Sequence, residues 1–253
     1  MCGRYSLKTR LREIARQFNL LLDLPDLEPA EDITPGRPIP AILINPAGQG
    51  ALRLLKWGLV PPWARDIKIG NRLINARAET LAEKPAFRDA LKYRRCLIPA
   101  DGFYEWQQVP AGSGKPHKER RYITRADGNL MLFAGLWEHW QDPHGNELET
   151  CTIITTAASP ELAHIHDRMP LLPTASDQAA WLDPKILGAA LLPGILSRSR
   201  WEPVIAGLKP PMAKSDPSGP PRSKPPPSDA TLPLFGNQDG SDNAPSSRDA
   251  RNS

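Results

Sequence analysis

No run in this 253-residue chain approaches the roughly 18 uninterrupted apolar residues a helix needs to cross a bilayer, so no membrane span is expected. No apolar stretch follows Met1-Cys2-Gly3-Arg4-Tyr5-Ser6 either, which argues against a secretion signal and a lipoprotein signal alike. Cysteine is scarce. The 3 cysteines, Cys2, Cys96 and Cys151, are odd in number and have no CxxC spacing. That excludes a zinc ribbon and a disulfide framework, and it fits a reducing cytoplasm. Cys96 and Cys151 sit in apolar, strand-like runs and read as buried, inert thiols. Internal repeats are missing, and charge of one sign is not in large excess. The net charge of +4 is compatible with a polyanionic partner, although solubility alone accounts for it.

What is present divides into two parts. Near Lys209 the composition turns to Pro, Ser, Gly, Asp and Lys with almost no aliphatic periodicity. Such a segment cannot bury enough apolar surface to offset its ordering entropy, so residues 209–253 are expected to be a disordered tail behind a folded domain of residues 1–208. Within that domain Leu11, Ile14, Ala15 and Phe18 recur at helical spacing. Runs at 41–45 and 51–57 flank Pro46-Ala47-Gly48-Gln49-Gly50 and predict a hairpin. Runs at 96–98 and 103–106 flank a turn at Pro99-Ala100-Asp101-Gly102, and runs at 122–124 and 130–136 flank Asp127-Gly128, a strong hairpin dipeptide. Residues 150–156 are a β-branched run suited to a buried strand. Helices are expected over 79–91, interrupted by Pro85, and over 176–182. Hairpin-joined strands without βαβ alternation predict an α+β single domain with a β-rich antiparallel, barrel-like core and short peripheral helices.

The chemistry begins at Cys2. Removal of Met1 is sterically easy before a small residue and leaves an α-amine beside a thiol, both ionising within reach of neutral pH. A 1,2-aminothiol condenses with an aldehyde to an imine, which the sulfur then closes to a thiazolidine. Four further segments have the look of a site. Leu73-Ile74-Asn75-Ala76-Arg77 puts Asn75 and Arg77 on one face if extended. Phe103-Tyr104-Glu105-Trp106 sets a carboxylate among aromatics that strip water from it, a setting suited to proton transfer. Ile165-His166-Asp167-Arg168-Met169-Pro170 supplies an imidazole with an adjacent acid and base, and Trp57-Gly58-Leu59-Val60-Pro61-Pro62-Trp63 is a bent loop bearing two indoles.

Together and in this order, MCGRY, Thr34-Pro35-Gly36, WGLVPPW, INARAET, CLIPADGFYEW, TTAA and IHDRMP resemble the SOS response-associated peptidase family, the abasic-site processing proteins. The match runs from residue 1 to about residue 172. The resemblance implies a compact α+β fold with a positively charged groove for single-stranded DNA. Carried over motif by motif, it implies Cys2 as nucleophile, Asn75 orienting its amine and Glu105 as the general acid/base beside that amine. His166 would donate the proton that opens the deoxyribose ring and exposes its aldehyde. Arg4 and Arg77 would hold phosphates, Trp63 would stack a base or wedge into the strand, and Thr155, counted with the DNA contacts, matches a polar position near the histidine. The family name also implies autoproteolytic exposure of Cys2, for which loss of Met1 would suffice. The expected partner is abasic single-stranded DNA, met as a monomer in the cytoplasm at the nucleoid, with no cofactor, metal or membrane.

Other readings stay open. An N-terminal-nucleophile hydrolase would use Cys2 against an amide, and a non-covalent DNA binder would leave Cys2 inert. Glu105 could pair with an arginine of the sheet. His164-Ile165-His166 has a spacing that metals use, but no third ligand is evident. Trp57, Trp106, Trp137 and Trp140 read as packing, Asp167 and Arg168 as an ion pair holding their loop, and the basic run 115–121 as a solvated loop. One departure stands out: after Trp201-Glu202-Pro203-Val204 the family's usual valine-asparagine ending is replaced by Ile205-Ala206-Gly207-Leu208. In the tail, Thr231-Leu232-Pro233-Leu234-Phe235 resembles a sliding-clamp docking peptide with Thr231 in place of glutamine, and the competing reading is that it packs back or does nothing.

Overall fold

Residues 38–44 are apolar throughout and buried from Ile39 to Leu43, and they form a hairpin, β4 (Pro38–Ile44) with β5 (Gly50–Trp57), turned by a Gly48 at φ 80°. A computed structural model describes residues 2–25, 27–110 and 115–206, all within the unit Met1–Pro211. The expected tail over 209–253, with its Thr231–Phe235 peptide, lies outside the described residues. Ahead of that hairpin come β1 (Tyr5–Leu7), α1 (Leu11–Phe18), β2 (Leu21–Leu22) and β3 (Ala30–Ile33). After it come a 3-10 turn over Ile67–Arg72, β6 (Asn75–Arg77), α2 (Arg88–Tyr93), β7 (Arg95–Ala100) and β8 (Gly102–Val109). The remainder is β9 (His117–Arg125), β10 (Met131–Gln141), β11 (Glu147–Ala157), β12 (Arg168–Pro170), α3 (Ala175–Leu182), α4 (Gly188–Arg198) and β13 (Pro203–Ala206).

Strands β4, β5, β11, β10 and β7 pair in a closed ring, antiparallel except where β5 meets β11 in parallel. Closure removes the edges that an open sheet would expose. A second, five-stranded sheet runs β13-β9-β8-β1-β3. This is the α+β, β-rich barrel fold that the sequence predicts. Tyr5, Trp57, Phe103 and Phe133 meet edge-on or tilted, with centroids 5.5–6.1 Å apart in the contacts of this cluster.

Two expectations are corrected, and a third is met in an unexpected way. The turn expected at Asp101 is present but leads from one sheet to the other, since β7 pairs with β10 and β4 while β8 pairs with β1 and β9. That single residue makes the crossing. Asp127-Gly128 does turn, with Gly128 at φ 68°, but β9 and β10 also part to different sheets. Turn chemistry fixed the bend, and burial of the apolar faces chose the partners. Residues 79–87 form successive turns, not helix, and the helix begins only at Arg88, past Pro85. The hairpin β10–β11, closed by Asp142 and a Gly145 at φ 87°, and helix α4 were not anticipated. The ending that departs from the family pattern still forms a strand, Val204 pairing with Thr124 and Ile205 with Ile123.

Candidate active site

Strand β1 delivers the N-terminus into the space between the two sheets. It lies between β3 and β8, with the Tyr104 amide donating to the Arg4 carbonyl at 2.9 Å and the Asp101 amide to the Ser6 carbonyl at 2.8 Å. Asp101 clamps the strand's far end, its carboxylate accepting from the amides of Lys8 and Thr9 and from the Thr9 hydroxyl. Gly102 beside it has no room for a side chain: a Cβ there would lie 2.5 Å from the Tyr122 ring. The Tyr122 hydroxyl in turn meets Ser6 Oγ at 2.7 Å.

Cys2 is fully buried. Its carbonyl accepts a hydrogen bond from Asn75 Nδ2 at 2.9 Å, while Asn75 Oδ1 is buried without a partner among the described residues. Burial first, and the Glu105 carboxylate second, push the Cys2 thiol far above its ordinary pKa. Both causes oppose formation of the thiolate. Cys96 and Cys151 are likewise buried with raised pKa values, as inert thiols should be.

Glu105 is 3% exposed, and its Oε2 lies 3.9 Å from Nε2 of His166. The arginine opposite it in register, Arg121, is engaged elsewhere: Nε with Gln107 Oε1 at 2.8 Å and Nη2 with Glu119 Oε2 at 2.6 Å. His166 Nδ1 accepts the backbone N–H of Arg168 at 3.0 Å. Its other ring nitrogen, Nε2, is the one that faces Glu105. Asp167 stands 2.8 Å from the same Nδ1, with its side chain 80% exposed.

Arg168 does not pair with Asp167, the partner considered from sequence. Its guanidinium grips Glu79 with both ends, at 2.9 and 2.8 Å, and donates to the Thr155 carbonyl at 2.7 Å. This fork ties the segment bearing Asn75 and Arg77 to the one bearing His166. The Arg168 hydrogen bonds hold the Glu79 carboxyl below its ordinary pKa. Glu79 was missed from sequence because it reads there as one more solvated acid.

Asn75 and Arg77 stand on one side of β6, with Ala76 buried between them, as the extended reading required. Both line a groove with Trp63, Leu73, Lys84 and Phe87. Trp63 is 59% exposed, and Arg77 makes no ion pair among the described residues. Gly58 shapes the approach to Trp63: at φ 130° it passes so close to Gly70 that a Cβ would lie 2.8 Å from the Gly70 oxygen. Arg4 is placed differently, bonded to Asp32 at 2.6 Å and 5.9 Å from the Trp106 ring centre. Thr155 is fully buried in β11, so the side-chain DNA contact expected of it is not available at the surface. His164 is exposed, its carbonyl accepting from Gln107. Among the described residues no His, Cys, Asp or Glu cluster has the makings of a metal site, and no helix is long and apolar enough to cross a membrane.

A buried Cys2 held by the Asn75 amide, a carboxylate–imidazole pair beside it and an open groove with an exposed indole make up one candidate site. Residues 1–203 match the family described as SOS response associated peptidase (SRAP), and the chain belongs to that family. It is 46% identical over 187 residues to the abasic site processing protein YoqW of Bacillus subtilis, covering 73% of this chain and 81% of that one. It is 33% identical over 156 residues to the abasic site processing protein HMCES of Xenopus tropicalis, covering 54% of this chain and 46% of that one. A crystal structure of a Bacteroides thetaiotaomicron protein superposes with a TM-score of 0.70 at 26% identity, over 81% of this chain and 91% of that one.

Proposed function

We propose that this chain acts on abasic sites in DNA, and that it captures them in single-stranded DNA by covalent attachment through Cys2. The observation that carries the reading is the Asn75 amide bonded to the Cys2 carbonyl, on a residue flanked by the Glu105–His166 pair. The names of the relatives, abasic site processing proteins, support the substrate.

Loss of Met1 frees the α-amine, toward which the unused Asn75 oxygen is a ready acceptor. His166, as an imidazolium, gives a proton to the ring oxygen of the closed sugar while the C1′ hydroxyl passes its own proton to the Glu105 carboxylate; the ring C–O bond breaks and the aldehyde is exposed. The amine adds to the carbonyl carbon, and Glu105 delivers the proton with which the carbinolamine hydroxyl leaves as water. The sulfur then adds to the imine carbon. Its proton passes to the nitrogen, so a thiol held protonated is no obstacle provided Glu105 relays that proton. Aminothiol and aldehyde become a thiazolidine and one water. Arg77, which makes no ion pair among the described residues, is placed to take a flanking phosphate, whereas Arg4 would have to leave Asp32 to take another. Thr155 contributes through its carbonyl, which steadies Arg168.

The test is a denaturing gel of the purified protein with an abasic single-stranded oligonucleotide, beside Cys2→Ala. A shifted band that survives denaturation and vanishes in the variant is expected. Glu105→Gln and His166→Ala should slow its appearance by about a hundredfold with non-covalent binding retained. Absence of the band from protein shown by mass to lack Met1 sinks the reading and turns the search to peptide and amide substrates.

A further inference from the structure

The loop that carries Trp63 has little means of holding itself. Pro61 and Pro62 supply no amide donors, and the loop's one internal turn bond runs from the Ala64 amide to the Pro61 carbonyl at 2.9 Å. Its fixed points come from outside. Upstream, the Val60 amide donates to Thr150 Oγ1 at 2.9 Å, on β11. Downstream, the indole Nε1 of Trp140 donates to the Ala64 carbonyl at 2.7 Å, from β10. Neighbouring barrel strands thus bracket the loop, and the Trp140 bond falls on the residue next to Trp63.

Trp140 is 7% exposed whereas Trp63 is 59% exposed, so one indole is sunk in the fold and the other projects from it. A large apolar ring left in water loses affinity for a base if it must be ordered on binding, and gains affinity if it is already fixed. We propose that Trp140 is a positioning residue for Trp63, its indole N–H fixing the loop so that the Trp63 face is presented ready to stack. The proposal rests on the reading of Trp63 as a platform for a base of the bound strand. Its effect is on binding and not on the chemistry at Cys2, since Trp140 touches the loop and none of the reacting groups.

The experiment uses the full chain and a fluorescein-labelled single-stranded oligonucleotide without an abasic site, read by anisotropy. Trp140→Phe keeps a ring in the cavity and removes the donor. It should raise Kd about fivefold or more, matching Trp63→Ala, and the double variant should bind no more weakly than Trp63→Ala alone. With saturating abasic oligonucleotide, adduct formation by Trp140→Phe should proceed at the wild-type rate. Benzothienylalanine at position 140, which replaces the N–H by sulfur with little change of shape, repeats the measurement should the phenylalanine variant fail to fold. Wild-type affinity of these variants overturns the inference, and so do additive losses in the double variant or a slowed rate at saturation. Wild-type binding by Trp63→Ala overturns it too, while adduct formation in the same samples would leave the covalent reading standing. Absence of adduct from the wild type sinks only the covalent reading, because the three affinities still decide the role of Trp140.

Discussion

Both carboxylate oxygens of Glu79 meet both terminal nitrogens of Arg168, at 2.9 and 2.8 Å, and they do so across 89 residues of sequence. This pair ties the strand that holds Cys2 by its carbonyl to the loop that carries His166.

Glu79→Gln should lower stability by about 1 kcal/mol, less than a fully buried pair would cost, because the Glu79 side chain is 44% exposed. The sign of its pH dependence follows from the lowered carboxyl pKa. The contribution is complete above the ordinary carboxylate range and is lost as pH falls through the lower folded value. Urea midpoints of wild type and variant should therefore differ at pH 7 and converge in acid.

All three thiols are buried with raised pKa values. In protein that retains Met1, a disulfide reagent at pH 8 should find almost no reactive thiol until denaturant is added, after which all three should react. Rapid reaction of Cys2 in the folded state would show that its thiol is open and more acidic than its surroundings imply.

Arg95 is 2% exposed, and its guanidinium donates to the carbonyls of Leu91, Lys92, Trp181, Asp183 and Ile186. It thereby closes the ends of α2 and α3. Arg95→Lys keeps the charge but cannot reach so many acceptors, and should cost about 3 kcal/mol or more, read as a lowered Tm.

The sequence made the site more legible than the path of the chain. Cys2, Asn75, Glu105 and His166 stand in short motifs whose chemistry needs those residue types, and they do converge. Pairing was harder to read. Asp101 and Asp127-Gly128 carry the local marks of turns, yet whether the flanking strands pair depends on which apolar faces are buried, and no dipeptide encodes that. Thr155 was misjudged because a hydroxyl at a motif position does not reveal that its strand is buried on both faces. The motif that offers Arg4 to a phosphate does not reveal its Asp32 partner, which lies too far along the chain to be inferred from spacing. Helix α4 hid behind Gly188, Pro193 and Gly194, residues that disfavour helices unless tertiary packing compensates.

Strand β11 pairs with β10, β12, β5 and β6. It is made late, after the chain has already released its N-terminus, β1, β4 and β5 into the cell. A ribosome must synthesise past residue 157 before the ring can close and before Asn75 and His166 gain a shared frame. Until then Cys2 is an ordinary cysteine on a nascent chain, without Asn75, Glu105 and His166 gathered around it. Late closure thus postpones the assembly of the candidate site until most of the domain exists, and fragments ending before β11 should carry the cysteine without that frame.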